Sequence, residues 1–312
     1  MPEIILHHYP MSPFAQKVRS VLGYKQLQWK SVIIPSIMPK PDLVALTGGY
    51  RKTPVLQIGC DVYCDTALIC EVLEHLQPLP RIFPDHQKGL VRVLAQWADT
   101  TLFWTAMAYN LQPKGAAEVF ASATPDAAKA FGADRAAMSA GMQRLKPADA
   151  TAAYKSYLRR LATMLEGNPF LLGPEPSVAD FASYHPLWFT RRMVPSMAAI
   201  LDATPAVLQW MDRMESFGQG RMEKLLAEEA LAISKLSKGA TAEVESHFQD
   251  EHAIPLGTMV YINAESFGQE TTEGELMAAT RTRYTLRRSD VRSGEVHVHF
   301  PRIGYVLKRL TP

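Results

Sequence analysis

Up to about residue 80, short apolar runs of strand character alternate with segments of helical period. Beyond the proline-rich PLPRIFPD (78–85) the helical period takes over. That switch restricts the fold more than any single residue does. Strands alternating with helices build a layered sheet, whereas unbroken helical period builds a bundle. In the first part EIILHH reads as a strand, Ser12 to about Tyr24 as a helix and WKSVII (29–34) as a second strand. PVLQI and DVYC flank Gly59-Cys60 as a hairpin, and Asp65-Thr66 opens the helix ALICEVLEHL. The strand-helix-strand half implies a parallel pair, and the hairpin adds antiparallel strands. Within the first helix Phe14, Val18 and Val21-Leu22 form the apolar side, with Gln16, Lys17 and Arg19 on the wetter one. Helical segments follow at 86–111, 115–145 with a break at Thr124-Pro125, 149–166, 177–200 and 205–217.

The pattern changes again after about 222. A charged helix, RMEKLLAEEALAISKL, leads into segments of period two. Leu276, Ala278, Thr280, Thr282, Tyr284 and Leu286 share one face of a strand opposite Arg281, Arg283, Thr285 and Arg287. Val296, Val298 and Phe300 repeat the alternation opposite Glu295, His297 and His299, with DVRSG as the turn between. The expected division is therefore 1–80, a helical domain at 86–222, a linker helix and connection at 223–249, and a small antiparallel β module at 250–312.

Composition narrows the functional classes. The 312 residues are 47% hydrophobic and 21% charged with a net charge of +2, which gives no general reason to expect nucleic acid or an anionic membrane as partner. No apolar run approaches the ~20 residues of a membrane helix, and MPEIILHH lacks the basic and apolar parts of a signal peptide, so a cytoplasmic protein is expected. Cys60, Cys64 and Cys70 are too few for a disulfide framework and wrongly spaced for zinc. Charge is segregated at the C-terminal end, net −8 over 223–280 and net +6 over 281–312. Cross-strand pairing of the arginine stripe is the expectation, with nucleic-acid binding as the alternative. His297 and His299 share a strand face but lack further ligands, so no metal is expected.

Ser12-Pro13 is a helix start: serine suits the N-cap, and proline the first helical position. Read on its own, Ser12 is a cap. Together with Lys52-Thr53-Pro54-Val55-Leu56 and with Asp65-Thr66 at the next helix start, Ser12-Pro13-Phe14 resembles the N-terminal domain of cytosolic glutathione transferases. The serine-plus-aspartate helix start Ser177-Val178-Ala179-Asp180-Phe181, a capping-box variant, is similar to one in that family's all-α domain. The resemblance covers roughly residues 3–220. It implies a thioredoxin-like domain over 1–80 that binds glutathione, an all-α domain behind it, and a homodimer. For the β module it implies nothing.

The roles implied by the resemblance follow position by position. A free thiol has a pKa near ~8.5, which a helix N-terminus lowers. Ser12 would donate to the glutathione thiolate there, aided by unpaired helical N–H groups. Tyr9 is the rival activator, since some classes use a tyrosine near the end of the first strand. Val55, behind a cis Pro54, would clamp the cysteinyl backbone, and Asp65 and Thr66 would receive the γ-glutamyl end. Many relatives carry Glu-Ser at this pair, so Asp65 is one methylene shorter. Lys52, with Lys40 as a second candidate, would meet the glycine carboxylate. Phe14 and Thr53 complete the matched motifs. Trp104 and Met107, with Tyr9, are candidates for the wall of an apolar electrophile pocket. The expected activity is transfer of the glutathionyl group to a small apolar electrophile. The alternative is a non-catalytic protein of the same fold that recruits a partner through its β module.

Overall fold

The computed structural model describes residues 2–239 and 249–310. Its strands are β1 (Ile5–His8), β2 (Gln28–Ile33), β3 (Val55–Ile58), β4 (Asp61–Cys64), β5 (Arg221–Lys224), β6 (Met259–Ala264), β7 (Thr272–Ala279), β8 (Arg283–Asp290), β9 (Gly294–Pro301) and β10 (Tyr305–Arg309). They form one sheet in the order β10-β6-β7-β8-β9-β4-β3-β1-β2-β5. The first four give the expected thioredoxin-like arrangement. β1 and β2 pair in parallel, joined by α1 (Pro13–Tyr24), and β3 and β4 add the antiparallel hairpin before α3 (Thr66–Leu76). Between them α2 (Pro41–Thr47), without a recognisable periodic signal over its seven residues, covers the opposite face.

The all-α domain contains α4 (Lys88–Trp97), α5 (Phe103–Asn110), α6 (Pro113–Val119), α7 (Pro125–Met138), α8 (Pro147–Met164), α9 (Val178–Trp188) and α10 (Pro205–Ser216). A wide π turn at Ala98–Leu102 carries α4 into α5, and another at Phe189–Met193 extends α9. The capping box at α9 is present: Asp180 accepts from the Ser177 backbone at 2.9 Å, and also from Leu171 N–H and the Trp210 indole. Asp180 is fully buried, so its carboxylate pins three segments of the domain at once.

The sheet alternates between two cores. Leu6, Leu56 and Tyr63 face α1, α3 and the helical domain, while Ile5, Val32, Val55 and Val62 face α2 and the C-terminal part of the chain. Because α1 lies between the sheet and the helical domain, its polar side is not wet. Lys17 is fully buried, and Gln16 and Arg19 are buried with it. Periodicity separates apolar from polar positions, but a helix packed on two sides buries both.

The C-terminal strands pair antiparallel with one another, but the run from 276 to 286 is not one strand: β7 ends at Ala279 and β8 starts at Arg283, and the extension is not a separate sheet. β9 joins β4 in parallel, with Val62 opposite Val298 and Tyr63 opposite His299. The expected charged helix from 221 divides. Arg221–Lys224 instead pairs with β2, whose outer edge offered unfilled backbone groups, and α11 (Ala227–Leu236) starts only afterwards. Ala230 and Leu231 of α11 are buried against this core, whereas Leu226 and Leu236 stay exposed. The connection over 240–248 lies outside the described residues. Within the arginine stripe, Arg287 pairs with its cross-strand partner Glu275 at 2.6 Å; of the other arginines here, Arg288 donates to Ala45 O, Arg292 pairs with Asp42 and Arg302 with Asp250.

The seam between β4 and the extension makes stability depend on pH. His299 sits between Asp61 (2.8 Å) and the Thr285 hydroxyl (2.9 Å) and stacks on Tyr63. Burial holds its pKa below 6.5 against the pull of Asp61. Burial likewise drives His7 down to about 4, opposed by its bond to Gln57. Both are neutral when folded and take up protons readily only when unfolded. The contribution of each is therefore complete above pH 6.5 and declines below it, that of His7 being lost as pH falls towards 4. Urea midpoints should drop steadily from pH 7 to 4.5, with His7 alone accounting for at most about 3 kcal/mol. Constant midpoints across that range would contradict this.

Candidate functional site

Strand register brings the matched motifs to one end of the sheet. His7 pairs with Val55 and Val55 with Cys64, so the end of β1, the start of β3 and the end of β4 lie in one row. α1 begins five residues beyond His8, and α3 begins two residues beyond Cys64. Two helix N-termini and the backbone of Pro54-Val55 thus converge there. The Thr53–Pro54 bond is cis.

Ser12 caps α1, its Oγ accepting from Ala15 N–H at 3.1 Å. Among the described residues no acceptor claims its hydroxyl hydrogen. Asp65 caps α3 through Ala67 N–H at 2.9 Å, with φ 77° and ψ 136°. A non-glycine residue at positive φ is strained, and such strain concentrates at functional positions. Thr66 accepts from the Lys17 ammonium at 3.2 Å. Lys17 in turn meets Asp99 at 2.5 Å, and Asp99 meets His185 at 3.0 Å. Burial pushes against the charges of Lys17 and Asp99, but their mutual attraction wins: Lys17 is raised and Asp99 lowered. Burial keeps His185 low despite Asp99. This buried chain locks α1 and α3 to the helical domain through the π turn that carries Asp99.

The candidate lysines separate. The Lys40 ammonium is buried and donates to Arg51 O at 3.0 Å and to the Thr53 hydroxyl at 3.3 Å; burial, with Arg135 and Arg51 nearby, lowers its pKa to about 8. It braces the loop before Pro54. The Lys52 ammonium instead lies over two aromatic faces, 4.8 Å from the Tyr305 ring centroid and 5.4 Å from that of Tyr50. Burial lowers its pKa as well. Among the described residues no carboxylate stands within ion-pair distance of it. Phe14 turns into the interdomain contact, 4.6 Å from the rings of Phe103 and His185. Tyr9 is half-buried, its hydroxyl accepting from Arg135 at 3.4 Å.

The extension closes round this end. Its strands curl until β10, five places from β4 in the sheet, returns to it: the Tyr305 hydroxyl donates to Asp65 at 3.0 Å. The loop from β6 to β7 crosses the cleft between the domains. Phe267 packs against Trp104 at 5.0 Å, Gly268 N–H donates to Met138 O at 2.9 Å, and Glu270 pairs with Arg51 at 2.5 Å. A Cβ on Gly268 would come within 2.8 Å of Met138 and 3.2 Å of Lys52, and one on Gly49 within 2.0 Å of Thr271 O. Trp104 is thus half-covered from its own chain, and Met107 is buried in the helical core. No local pattern marked Tyr305, Phe267 or Glu270 as site residues. Lys17 carried a weak signal, a lysine within a turn and a half of the capping serine.

All three cysteines are buried thiols. Burial raises the pKa of Cys64 well above its ordinary value and that of Cys70 to about 12, so neither offers a thiolate. Among the described residues no group of three or more His, Cys, Asp or Glu is placed to hold a metal, and no helix is long and apolar enough to cross a membrane.

Known proteins agree with this fold. The family model for the glutathione S-transferase N-terminal domain matches residues 6–81, and that for the C-terminal domain matches 127–213. A solved GST-like protein from Pseudomonas syringae is 40% identical, with a TM-score of 0.83 over 99% of this chain and 100% of that one. That coverage takes in the β extension. Pyrimidodiazepine synthase of Drosophila melanogaster is 35% identical over 94 residues, which span 27% of this chain and only 38% of that protein. FtsZ-localized protein A of Caulobacter vibrioides is 23% identical over 58% of this chain and 74% of its own length. With both domains matched and a full-length relative of the same kind, the chain belongs to the glutathione S-transferase family.

Proposed function

We propose that the protein is a glutathione transferase-like enzyme that uses Ser12 to stabilise the glutathione thiolate for attack on a small apolar electrophile. The observation that carries this reading is the row His7, Val55, Cys64, which sets Ser12, the Val55 backbone and Asp65 around one end of the sheet. A thiolate above the start of α1 would meet unpaired N–H groups and the free Ser12 hydrogen, both favouring the charged sulfur. Val55 would receive the cysteinyl backbone, Asp65 and Thr66 the γ-glutamyl end and Lys52 the glycine carboxylate. Under the same reading the protein is a cytoplasmic homodimer with Trp104 forming part of the electrophile wall. Retention on immobilised glutathione, followed by thiol consumption against a panel of electrophiles, tests the proposal; failure to bind glutathione refutes it.

One observation favours a second reading. Phe267 packs against Trp104 in a T-shaped contact, on the side chain proposed to line the electrophile wall. A protein that binds glutathione but consumes no thiol would fit a non-catalytic role, in which the extension presents a surface to a partner. The name of the Caulobacter relative, an FtsZ-localized protein, is compatible with such a role.

A further inference from the structure

We infer that Tyr305, contributed by the C-terminal extension, is a positioning residue of the glutathione site: it holds the Asp65 carboxylate and supports the Lys52 ammonium, so that the extension completes the site. The inference rests on the glutathione reading above and goes beyond it, because residues 1–220 carry every matched motif and Tyr305 lies outside them.

Asp65 has one oxygen on Ala67 N–H at 2.9 Å and the other on the Tyr305 hydroxyl at 3.0 Å. Each bond uses one lone pair, and a carboxylate has about four acceptor positions, so the group is fixed at both ends yet keeps capacity for an ammonium. Fixing matters here because the shorter aspartate hangs from a backbone at φ 77°. The Tyr305 ring is buried and packs at 5.4 Å against Phe300 and 6.3 Å against Tyr50, whose hydroxyl is 3.4 Å from that of Tyr305. A ring held on two sides has little freedom, so its hydroxyl presents one geometry to Asp65. Its face meets Lys52, and a cation over an aromatic face is held without being neutralised. A carboxylate and an ammonium, the two charges proposed to meet opposite ends of the peptide, are thus both braced by one side chain from the far end of the chain.

Tyr305→Phe keeps the ring under Lys52 and removes only the hydroxyl. Calorimetric titration should compare glutathione with an analogue that lacks the γ-glutamyl amino group. The expected result is an affinity for glutathione about tenfold weaker in the variant, with the affinity for the analogue unchanged. Equal affinity of variant and wild type for glutathione overturns the inference, as does an equal loss for both ligands, which a merely structural role would produce. Asp65→Asn, alone and combined with Tyr305→Phe, provides a second measurement. The tyrosine substitution should have no further effect once the carboxylate is gone, and full additivity also overturns the inference. Wild-type protein that binds neither ligand overturns the glutathione reading itself, and this inference with it.

Discussion

Stopping the chain at Gly239 is expected to leave a body that aggregates or melts about 10–20 °C lower than the full protein. The extension shares a core with the thioredoxin-like domain. Val260, Ile262, Leu276, Leu286, Val298 and Phe300 pack in the same cluster as Ile5, Val32, Leu43, Leu46, Val55 and Val62. Removing them uncovers the second group and leaves the backbone of Asp61–Tyr63 without its partner strand. Uncovering two or three fully buried aliphatic side chains costs on the order of 5 kcal/mol. In a chain of this size that amounts to a fall of ten degrees or more. An unpaired apolar edge also promotes association. Thermal melts and sedimentation of the truncated protein decide the matter. An unchanged melting temperature with unchanged solubility would show the extension to be independent, and would favour the partner-recruiting role.

The second large effect is expected at Ser12. Ser12→Ala removes the cap on Ala15 N–H, which costs about 1 kcal/mol of stability. In the proposed enzyme it also removes the hydrogen bond to the thiolate, so conjugation should slow by about a hundredfold at neutral pH, in line with the loss of one preorganised donor. The pKa of bound glutathione should rise in step, moving the pH–rate profile to higher pH. Tyr9→Phe is the matched comparison: it removes the hydroxyl that accepts from Arg135 and should leave the profile in place. If instead Ser12→Ala keeps the wild-type profile and Tyr9→Phe shifts it, thiol activation belongs to Tyr9.

Much of the first 220 residues was legible because its signals are local. Ser12-Pro13 and Thr124-Pro125 start helices, Asp180 closes a capping box, and the strand pattern before residue 80 yields β1 to β4 within one or two residues of the expected bounds. Other positions required the assembled molecule. Lys40 and Lys52 both follow from the resemblance as candidates for one carboxylate. What separates them is that Lys40 reaches the Arg51 carbonyl while Lys52 reaches two rings, one of them contributed from more than 250 residues away. Gln16, Lys17 and Arg19 read as a wet face because periodicity does not reveal how many surfaces a helix packs against. Arg221–Lys224 continued a helical pattern, and the open edge of β2 overrode that propensity.

By itself, then, the sequence determined the local elements, the caps that begin them and the set of motifs around the proposed glutathione site. These depend on neighbours within a few residues, where spacing and side-chain chemistry leave few alternatives. The tertiary structure alone decided that the last sixty residues extend the thioredoxin-like sheet, that Phe267 and Glu270 cross the cleft, and that Tyr305 rests on Asp65. An alternating strand specifies which of its faces is apolar, but not which distant edge it will pair with. That choice came from the free backbone groups of β4 and from the curl of the sheet, which brings its outermost strand back to the site.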